Sequence, residues 1–259
     1  MKAFKNGFPS IKRGRDSSQT THTGPTNNQL QEDIDSLPPV TLHGYRDTTK
    51  SRLLSPDICD ELRSLMPTRI QLYSDWHLLY SLQQHGASLQ SLYSRTAPET
   101  KHPARVGYVV LVEDRKGGLF GGYCNEPPRA KDSKRYYGNG ECFLWRLERA
   151  ASVSLAQRED DEPCAHGWRF RGYPYTGLNQ FVMHSTGHYF SMGAGDGHYG
   201  LWCDQALETG VTNPSLTFGN ETLSREGAKF HIVNLEVWRV GGGPEISPLG
   251  RPGSPGAGF

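Results

Sequence analysis

The segment 230-FHIVNLEVWRV-240 alternates in side-chain character along its length, which predicts a central strand of a sheet. The alternation defines two faces of that strand. One face carries Phe230, Ile232, Asn234, Glu236 and Trp238, and the other carries His231, Val233, Leu235 and Val237. If the first face is the core, Asn234 and Glu236 are buried polar groups that need hydrogen-bond partners.

The region upstream of this segment, from about residue 105, shows the same period of two, which is typical of strands. Residues 106–114 predict a buried strand, residues 116–118 a turn, and residues 119–124 the second strand of a hairpin. Further strands are predicted at 141–147, 179–186, 188–193 and 199–204. Short strands separated by glycine turns indicate packed antiparallel sheets.

Helices are predicted mainly near the start of the folded region. Ser55-Pro56-Asp57 is a helix start, because Ser caps, Pro fits the first turn and Asp meets the positive end of the helix dipole. Pro67 would end this helix, and Ser88 is predicted to cap a second short one. The buried side of the first helix would hold Ile58, Leu62 and Leu65, and that of the second would hold Leu89, Leu92 and Tyr93. Residues 76–82 fit either a strand or a helix.

Composition limits the classes of function. Lys and Arg number 28 and Asp and Glu 27, so the net charge of +1 gives no case for a nucleic-acid partner. No apolar run is long enough to span a bilayer, and the first residues lack the apolar core of a secretory signal. The five cysteines (59, 124, 142, 164 and 203) form no CxxC pair, which favours a reducing compartment and predicts neither a metal site nor a cofactor.

The chain divides into three predicted regions. Residues 1–36 read as a flexible basic N-terminal arm, residues 37–240 as one β-rich domain, and residues 241–259 as a disordered Gly/Pro-rich tail. The arm is basic and amphipathic in its first 15 residues, so a mitochondrial presequence is the alternative to a disordered arm. Residues 158–167 are acidic and predict a solvated loop. A monomer is the expected state.

The glycine-rich stretch 191-SMGAGDGHYGLWCD-204 raises the question of a phosphate-binding loop. An alternating run follows it instead of a helix, so Gly193, Gly195 and Gly197 favour a tight turn between two strands. Asp196 and His198 within it resemble a base and its orienting group, but no nucleophile motif accompanies them. We therefore predict no catalytic role for this stretch.

Three glutamates and two cysteines are the remaining candidates for chemistry. Glu141, Glu221 and Glu236 lie next to aromatic residues, where a raised pKa would suit a general acid. They could equally pair with an arginine such as 115, 146 or 239, and this structural interpretation is the more frequent one. Cys142 and Cys203 lie in apolar runs, where thiols are usually buried and inert.

The loop 127-PPRAKDSKR-135 is the most basic patch of the predicted domain. A loop with this charge could dock an acidic protein surface, and a solvated loop is the alternative. The candidate partner-binding residues are Arg129, Lys131, Lys134 and Arg135.

Seven motifs occur in order over residues 37–241 and identify a family. They are RIQLYSDWHLLYSLQQHGASLQSLY, VGYVVLVEDRKGGLFGGY, GNGECFLWRL, FRGYPYTGLN, FSMGAGDGHYGLWCD, FGNETLS and FHIVNLEVWRVG. The chain thereby resembles the TLDc domain family and, within it, the short fungal oxidation resistance proteins. The resemblance implies an α+β, mainly β fold: a two-sheet antiparallel β-sandwich flanked by a few short helices.

The resemblance also implies a function. Members of the family protect against oxidative stress without an established catalytic centre, and relatives are associated with the vacuolar-type proton-pumping ATPase. The implied role is a non-enzymatic regulator that promotes disassembly of the pump, in the cytoplasm at the vacuole membrane or at mitochondria. The alternatives are an enzyme with a glutamate- or cysteine-based site, or a mitochondrial antioxidant factor. The family-signature positions are Glu141, Gly193, Gly195, Asp196, Gly197, His198, Glu221 and Glu236.

Overall fold

The structure is a computed structural model that describes residues 37–98, 106–131, 135–149 and 167–242. The predicted arm 1–36, nearly all of the acidic loop 158–167 and the tail after residue 242 lie outside the described residues, as does Lys134 of the basic loop.

The first third of the described chain holds all four of its helices. Its elements are β1 (Thr41–His43), α1 (Pro56–Leu65), α2 (Thr68–Gln71), β2 (Asp75–Ser81), α3 (Leu82–His85) and α4 (Leu89–Thr96). The described segments after residue 105 hold the strands β3 (Val106–Asp114), β4 (Leu119–Cys124), β5 (Phe143–Arg149), β6 (Trp168–Pro174), β7 (Met183–Ser185), β8 (Tyr189–Gly195), β9 (His198–Asp204), β10 (Thr209–Val211) and β11 (Lys229–Gly241).

The two predicted helices are present at α1 and α4, but Ser55 stands at the N-cap of α1 without a side-chain capping hydrogen bond, and α2 and α3 were not predicted. Pro56 occupies the first turn of α1, and the helix ends at Leu65, before Pro67. The Ser88 hydroxyl caps α4 by accepting a hydrogen bond of 3.3 Å from the amide of Ser91. The ambiguous segment 76–82 is strand β2 except for its last residue. Within the described ranges, every helix is too short or too polar to cross a bilayer.

The strands form one large sheet in the order β6-β5-β4-β3-β11-β10-β9-β8-β7, and β2 and β1 branch from β11. All pairs are antiparallel except β1 with β2. The mainly β class with a few short helices is confirmed. Where the prediction has two separate sheets, hydrogen bonding is continuous, because β11 pairs with β10 near its start and with β2 and β3 further along.

Strand β11 contains a bulge, and its two faces therefore differ from the predicted ones. The register against β3 shifts at Val233, whose side chain is left 49% exposed. Phe230 therefore packs in the same core cluster as Leu235, whereas Trp238 belongs to the second cluster. The predicted assignment of Phe230 and Trp238 to one face is wrong because a bulge adds one residue and reverses the alternation beyond it.

Two core clusters cover the two sides of the β3–β5 region. The first joins β3–β5 to β8 and β9, and the Cys124 Sγ lies 3.5 Å from the Met192 Sδ within it. The second lies under α1 and contains the fully buried indoles of Trp76, Trp145 and Trp238. The sheet is thus covered on both sides in this region, which explains why residues 109–112 are all buried and show no polar alternation.

One predicted strand is shifted by two residues and another is shorter than expected. The strand predicted at 141–147 begins only at Phe143, because Glu141 lies in a turn where its amide bonds the Asn139 side chain at 2.9 Å. The strand predicted at 179–186 reduces to Met183–Ser185. Asn179 instead accepts a hydrogen bond from the amide of Phe181 at 3.0 Å, which forms a local turn.

Candidate partner-binding surface

The glycine-rich stretch forms the tip of the β8–β9 hairpin. Gly195 pairs with His198, and the two residues between them have positive φ, 51° at Asp196 and 77° at Gly197. Two consecutive residues with positive φ are typical of a type I′ hairpin turn, which favours Asp-Gly. The stretch is a turn between strands, as its alternating neighbours predicted.

Gly193 and Gly195 bring this hairpin close to the loop at 213–218. A side chain at Gly193 would place its Cβ 2.7 Å from the ring of Phe218. A Cβ at Gly195 would lie 3.6 Å from the Cβ of Leu216. Asp196 and His198 are exposed at the tip, and no hydrogen bond between these two described side chains is formed. The tip has the geometry of a protruding loop rather than of a catalytic pair.

The glutamates of the candidate set occupy separate environments. Glu141 accepts two hydrogen bonds of 2.5 Å from the guanidinium of Arg69, which lowers the pKa of the carboxyl. Glu141 borders an open cleft of about 260 Å³ between the α1–α2 junction and the start of β5. Glu221 lies 2.6 Å from Arg146 of β5 and 3.7 Å from Arg171 of β6. Of the predicted arginine partners, only Arg146 is used.

Glu236 is fully buried and acts as an acceptor for the N-terminal segment. Its carboxylate accepts hydrogen bonds from the Tyr45 hydroxyl at 2.8 Å, the Trp238 indole at 2.9 Å and the Leu53 amide at 3.3 Å. Burial raises the pKa of Glu236, and these three donors partly offset that rise. The contacts fasten residues 45–53 to the sheet, which is a structural role.

The cysteines have the properties of buried structural thiols. Burial raises the pKa of Cys142 to about 11 and that of Cys203 further. The Cys142 thiol donates to the Asn125 side-chain oxygen at 3.1 Å. Because the thiolate is the nucleophile, both thiols are held in the unreactive form at neutral pH.

The basic loop is partly committed to contacts within the domain. The Arg129 guanidinium bonds Glu126 at 2.5 Å and lies 4.8 Å from the ring centre of Tyr137, while the Lys131 ammonium lies 4.9 Å from the same ring. Arg135 is exposed. Of the four candidate residues, Arg135 is therefore the described one that is exposed, while Lys131 is partly buried with its ammonium over the Tyr137 ring.

Beside this loop, a row of aromatic rings covers the outer side of β7, β8 and β9. Ring centres are separated by 4.7 Å (Tyr136–Phe181), 5.2 Å (Tyr136–His184), 5.7 Å (His184–Tyr189) and 6.0 Å (Tyr189–Trp202). The Tyr189 hydroxyl bonds the His184 Nδ1 at 2.8 Å. All five side chains are partly or largely exposed. We call Tyr136, Phe181, His184, Tyr189 and Trp202 the aromatic face.

The sequence reasoning missed this surface, although a signal for it exists. In β7–β9 the inward positions hold Met183, Phe190 and Cys203. The outward positions between them hold His184, Tyr189 and Trp202 where an alternating strand would normally place small polar residues. Adjacent aromatic residues in one strand, such as Tyr189 and Phe190 in β8, indicate that both of its faces carry aromatic side chains.

Comparison with known proteins places the chain in a family. Residues 48–241 match the TLDc domain. The chain belongs to the TLDc domain family. Oxidation resistance protein 1 of Kluyveromyces lactis is 58% identical over 228 residues, which cover 88% of this chain and 91% of that protein. Oxidation resistance protein 1 of Saccharomyces cerevisiae is 50% identical over 249 residues, covering 92% and 91%.

In this TLDc protein the family-signature positions do not converge on one site. Residues 196–198 of the glycine hairpin form an exposed tip, Glu141 lies beside α2, Glu221 beside Arg146 of β5, and Glu236 inside the core. Across the part of the chain that the structure describes, no three His, Cys, Asp or Glu side chains come together as metal ligands. The feature with the character of a binding site is the aromatic face.

Proposed function

We propose that this chain is a non-enzymatic protein that protects against oxidative damage by binding the vacuolar-type proton-pumping ATPase and promoting its disassembly. Membership of the TLDc family supports the protective role, since relatives are called Oxidation resistance protein 1. The pump is the partner that the resemblance to the family implies. The proposed place of action is the cytoplasm at the vacuole membrane, with mitochondria as the alternative through the arm 1–36.

The observation that carries the proposal is the aromatic face. Interfaces between proteins are enriched in aromatic side chains, and their energy is concentrated in a few such anchors. The rings of Tyr189 and Trp202 pack on each other from strands β8 and β9, and the ring of Tyr136 packs on that of His184, so little side-chain freedom is lost on docking. Lys131 and Arg135 border the face and supply part of a polar rim.

A regulator of assembly acts through a difference in affinity. It shifts the equilibrium between the intact and the separated pump only if it binds one state more tightly than the other. A hundredfold preference for the separated catalytic sector corresponds to about 2.7 kcal/mol. One or two well-packed aromatic anchors supply a difference of this size.

The experiment mixes the purified chain with intact pump and follows ATP hydrolysis and release of the catalytic sector by size. We expect release at near-stoichiometric protein. Trp202→Ala should weaken the effect about tenfold, as expected for an anchor residue. Tyr73→Ala is the matched control, because Tyr73 is a partly buried aromatic that packs against the other core cluster. Folding of each variant is checked by thermal unfolding.

Two outcomes would contradict the proposal. If the wild-type chain neither binds the pump nor releases its catalytic sector, the regulator function fails. If Trp202→Ala and Tyr73→Ala behave alike in folded protein, the aromatic face is not the binding site, and the proposal loses the observation on which it depends.

A further inference from the structure

Three exposed apolar side chains lie on two neighbouring loops beside the β8–β9 hairpin. Leu178 is 72% exposed, Leu216 47% and Phe181 41%. They lie on two loops that are joined to each other, because the Thr176 hydroxyl donates to the Leu216 carbonyl at 2.6 Å. The Leu216 side chain also lies against Gly195 of the hairpin. We call Leu178, Phe181 and Leu216 the apolar tip.

The backbone under the apolar tip is fixed by buried hydrogen bonds. The Asn179 side chain donates to the Ala194 carbonyl at 3.1 Å and accepts from the Thr217 hydroxyl at 2.8 Å. Thr217 is fully buried, and its hydroxyl also accepts from the Ala194 amide at 3.1 Å. Both loops are thereby tied to β8. Large apolar side chains on a backbone fixed in this way are preorganised for binding, since the loops lose little freedom when a partner covers them.

The apolar tip shares Phe181 with the aromatic face and has one residue of each charge beside it. The ring of Phe181 packs 4.7 Å from that of Tyr136, and Arg135 precedes Tyr136 in the chain. On the other flank, Asp196 follows Gly195 directly and is exposed at the turn. The apolar tip therefore has a cationic residue near Phe181 and an anionic residue near Leu216.

This arrangement distinguishes a protein partner from a lipid surface. Insertion of the three apolar side chains into a membrane would carry the exposed Asp196 carboxylate toward the lipid, which is costly and works against attraction to anionic headgroups. A protein segment can instead place a basic side chain opposite Asp196 and an acidic one opposite Arg135.

We propose that the apolar tip docks an amphipathic segment of the proton pump. Its apolar residues would cover Leu178, Phe181 and Leu216, with an acidic residue toward Arg135 and a basic residue toward Asp196. The proposal rests on the proposed function for the identity of the partner. It adds the place of contact and the chemistry of the segment that makes it.

The test measures the affinity of the purified chain for the pump's isolated catalytic sector. The double variant Leu178→Ser/Leu216→Ser should bind at least about tenfold more weakly, because two exposed anchors are removed. Leu72→Ser is the matched control, since Leu72 is 59% exposed at the end of α2, away from the apolar tip. It should stay within about twofold of the wild type, as expected for a residue outside an interface.

A second variant tests the charge separately from the fold. Asp196→Asn removes the carboxylate while Asn, like Asp, tolerates positive φ, so the hairpin turn is kept. We expect severalfold weaker binding and a shallower dependence of affinity on salt. Unchanged affinity and salt dependence would overturn the charge assignment.

The possible failures are distinguishable. If the wild-type chain does not bind the sector, the proposed function fails and the docking proposal fails with it. If the wild type binds and the double variant binds equally well, only the docking proposal is overturned. Sedimentation with phosphatidylserine vesicles completes the test: loss of vesicle binding in the double variant, with pump binding intact, would assign the apolar tip to lipid instead.

Discussion

Asp114 gives a stability prediction whose size follows from its hydrogen bonds. The residue ends β3, is 1% exposed, and accepts four bonds. Oδ1 accepts from the amides of Lys116 at 2.9 Å and Gly118 at 2.7 Å. Oδ2 accepts from the Ser224 hydroxyl at 2.6 Å and the Arg225 amide at 2.8 Å. One carboxylate thus closes the β3–β4 turn and fastens a distant loop to it.

Asp114→Ala leaves all four donors without this acceptor. The Gly118 and Ser224 donors are buried, and each costs about 1–3 kcal/mol when left unpaired. The Lys116 and Arg225 amides are only part-buried, and water can replace the carboxylate at about 0.5 kcal/mol each. We therefore expect the free energy of unfolding to fall by about 3–7 kcal/mol, a large share of a typical domain's stability.

Asp114→Asn separates the hydrogen bonds from the charge. The amide oxygen keeps the two turn bonds and the amide nitrogen can donate to the Ser224 hydroxyl, but it opposes the N–H of Arg225. Because only the Arg225 amide then lacks an acceptor, we expect the free energy of unfolding to fall by about 1–2 kcal/mol. Asp204→Ala is the control, because Asp204 accepts two bonds at a similar turn in exposed positions. Its loss should be about 1 kcal/mol or less.

The assay is equilibrium unfolding in urea at pH 7, monitored by tryptophan fluorescence. The order of stability loss should be Asp114→Ala, then Asp114→Asn, then Asp204→Ala. The reasoning is refuted if Asp114→Ala costs less than about 1 kcal/mol, or if Asp204→Ala costs as much as Asp114→Ala, since burial of the donors would then not decide the size.

Three further predictions concern pH, thiol reactivity and backbone conformation. Burial would raise the pKa of Glu226, but hydrogen bonds led by those from the side chain and amide of His231 lower it to about 2. The stabilisation from this ionised carboxylate is therefore present above pH 4.5 and lost as pH falls toward 2. Over that range the free energy of unfolding of Glu226→Gln should fall by about 1 kcal/mol less than that of the wild type, and an unchanged profile would contradict this. Cys142, whose pKa is raised to about 11 by burial, should react with a thiol reagent at a rate that follows unfolding; fast labelling of Cys142 itself in the native protein, located by peptide mapping, would refute its burial. Gly197→Ala should cost about 1 kcal/mol from its φ of 77°, against almost nothing for Gly187→Ala, where no positive φ is required; equal melting temperatures would exclude the type I′ turn.

The strands predicted well are those whose burial alternates or is complete. The hairpin of β3 and β4 and the hairpin of β8 and β9 follow from local patterns, because glycine turns and apolar runs act within a few residues. The long strand β11 was also predicted, but its faces were not. A bulge at Val233 is a property of the pairing with β3, which sequence periodicity does not contain.

The partners of the glutamates could not be predicted for a different reason. Arg69 and Glu141 are 72 positions apart, and their contact depends on α2 lying beside the start of β5. Glu236 was expected to need partners, and it has them, but Tyr45 and Leu53 come from a segment with no periodic signal. Sequence reasoning states correctly that a buried carboxylate must be satisfied. It gives the partner only when the partner is local.

The aromatic face departs from the usual pattern of polar residues on the outward side of a strand, and this departure is visible in the sequence. A strand that is half-buried should place polar residues outward, and β8 and β9 instead place Tyr189 and Trp202 there. Such residues add little to the stability of the isolated domain, because their rings remain partly in water, and they add a risk of aggregation. Local sequence and fold disagree mainly at functional sites. The disagreement at β7–β9, together with the apolar tip, is therefore the physical reason to look for the partner on this side of the domain and not among the glutamates.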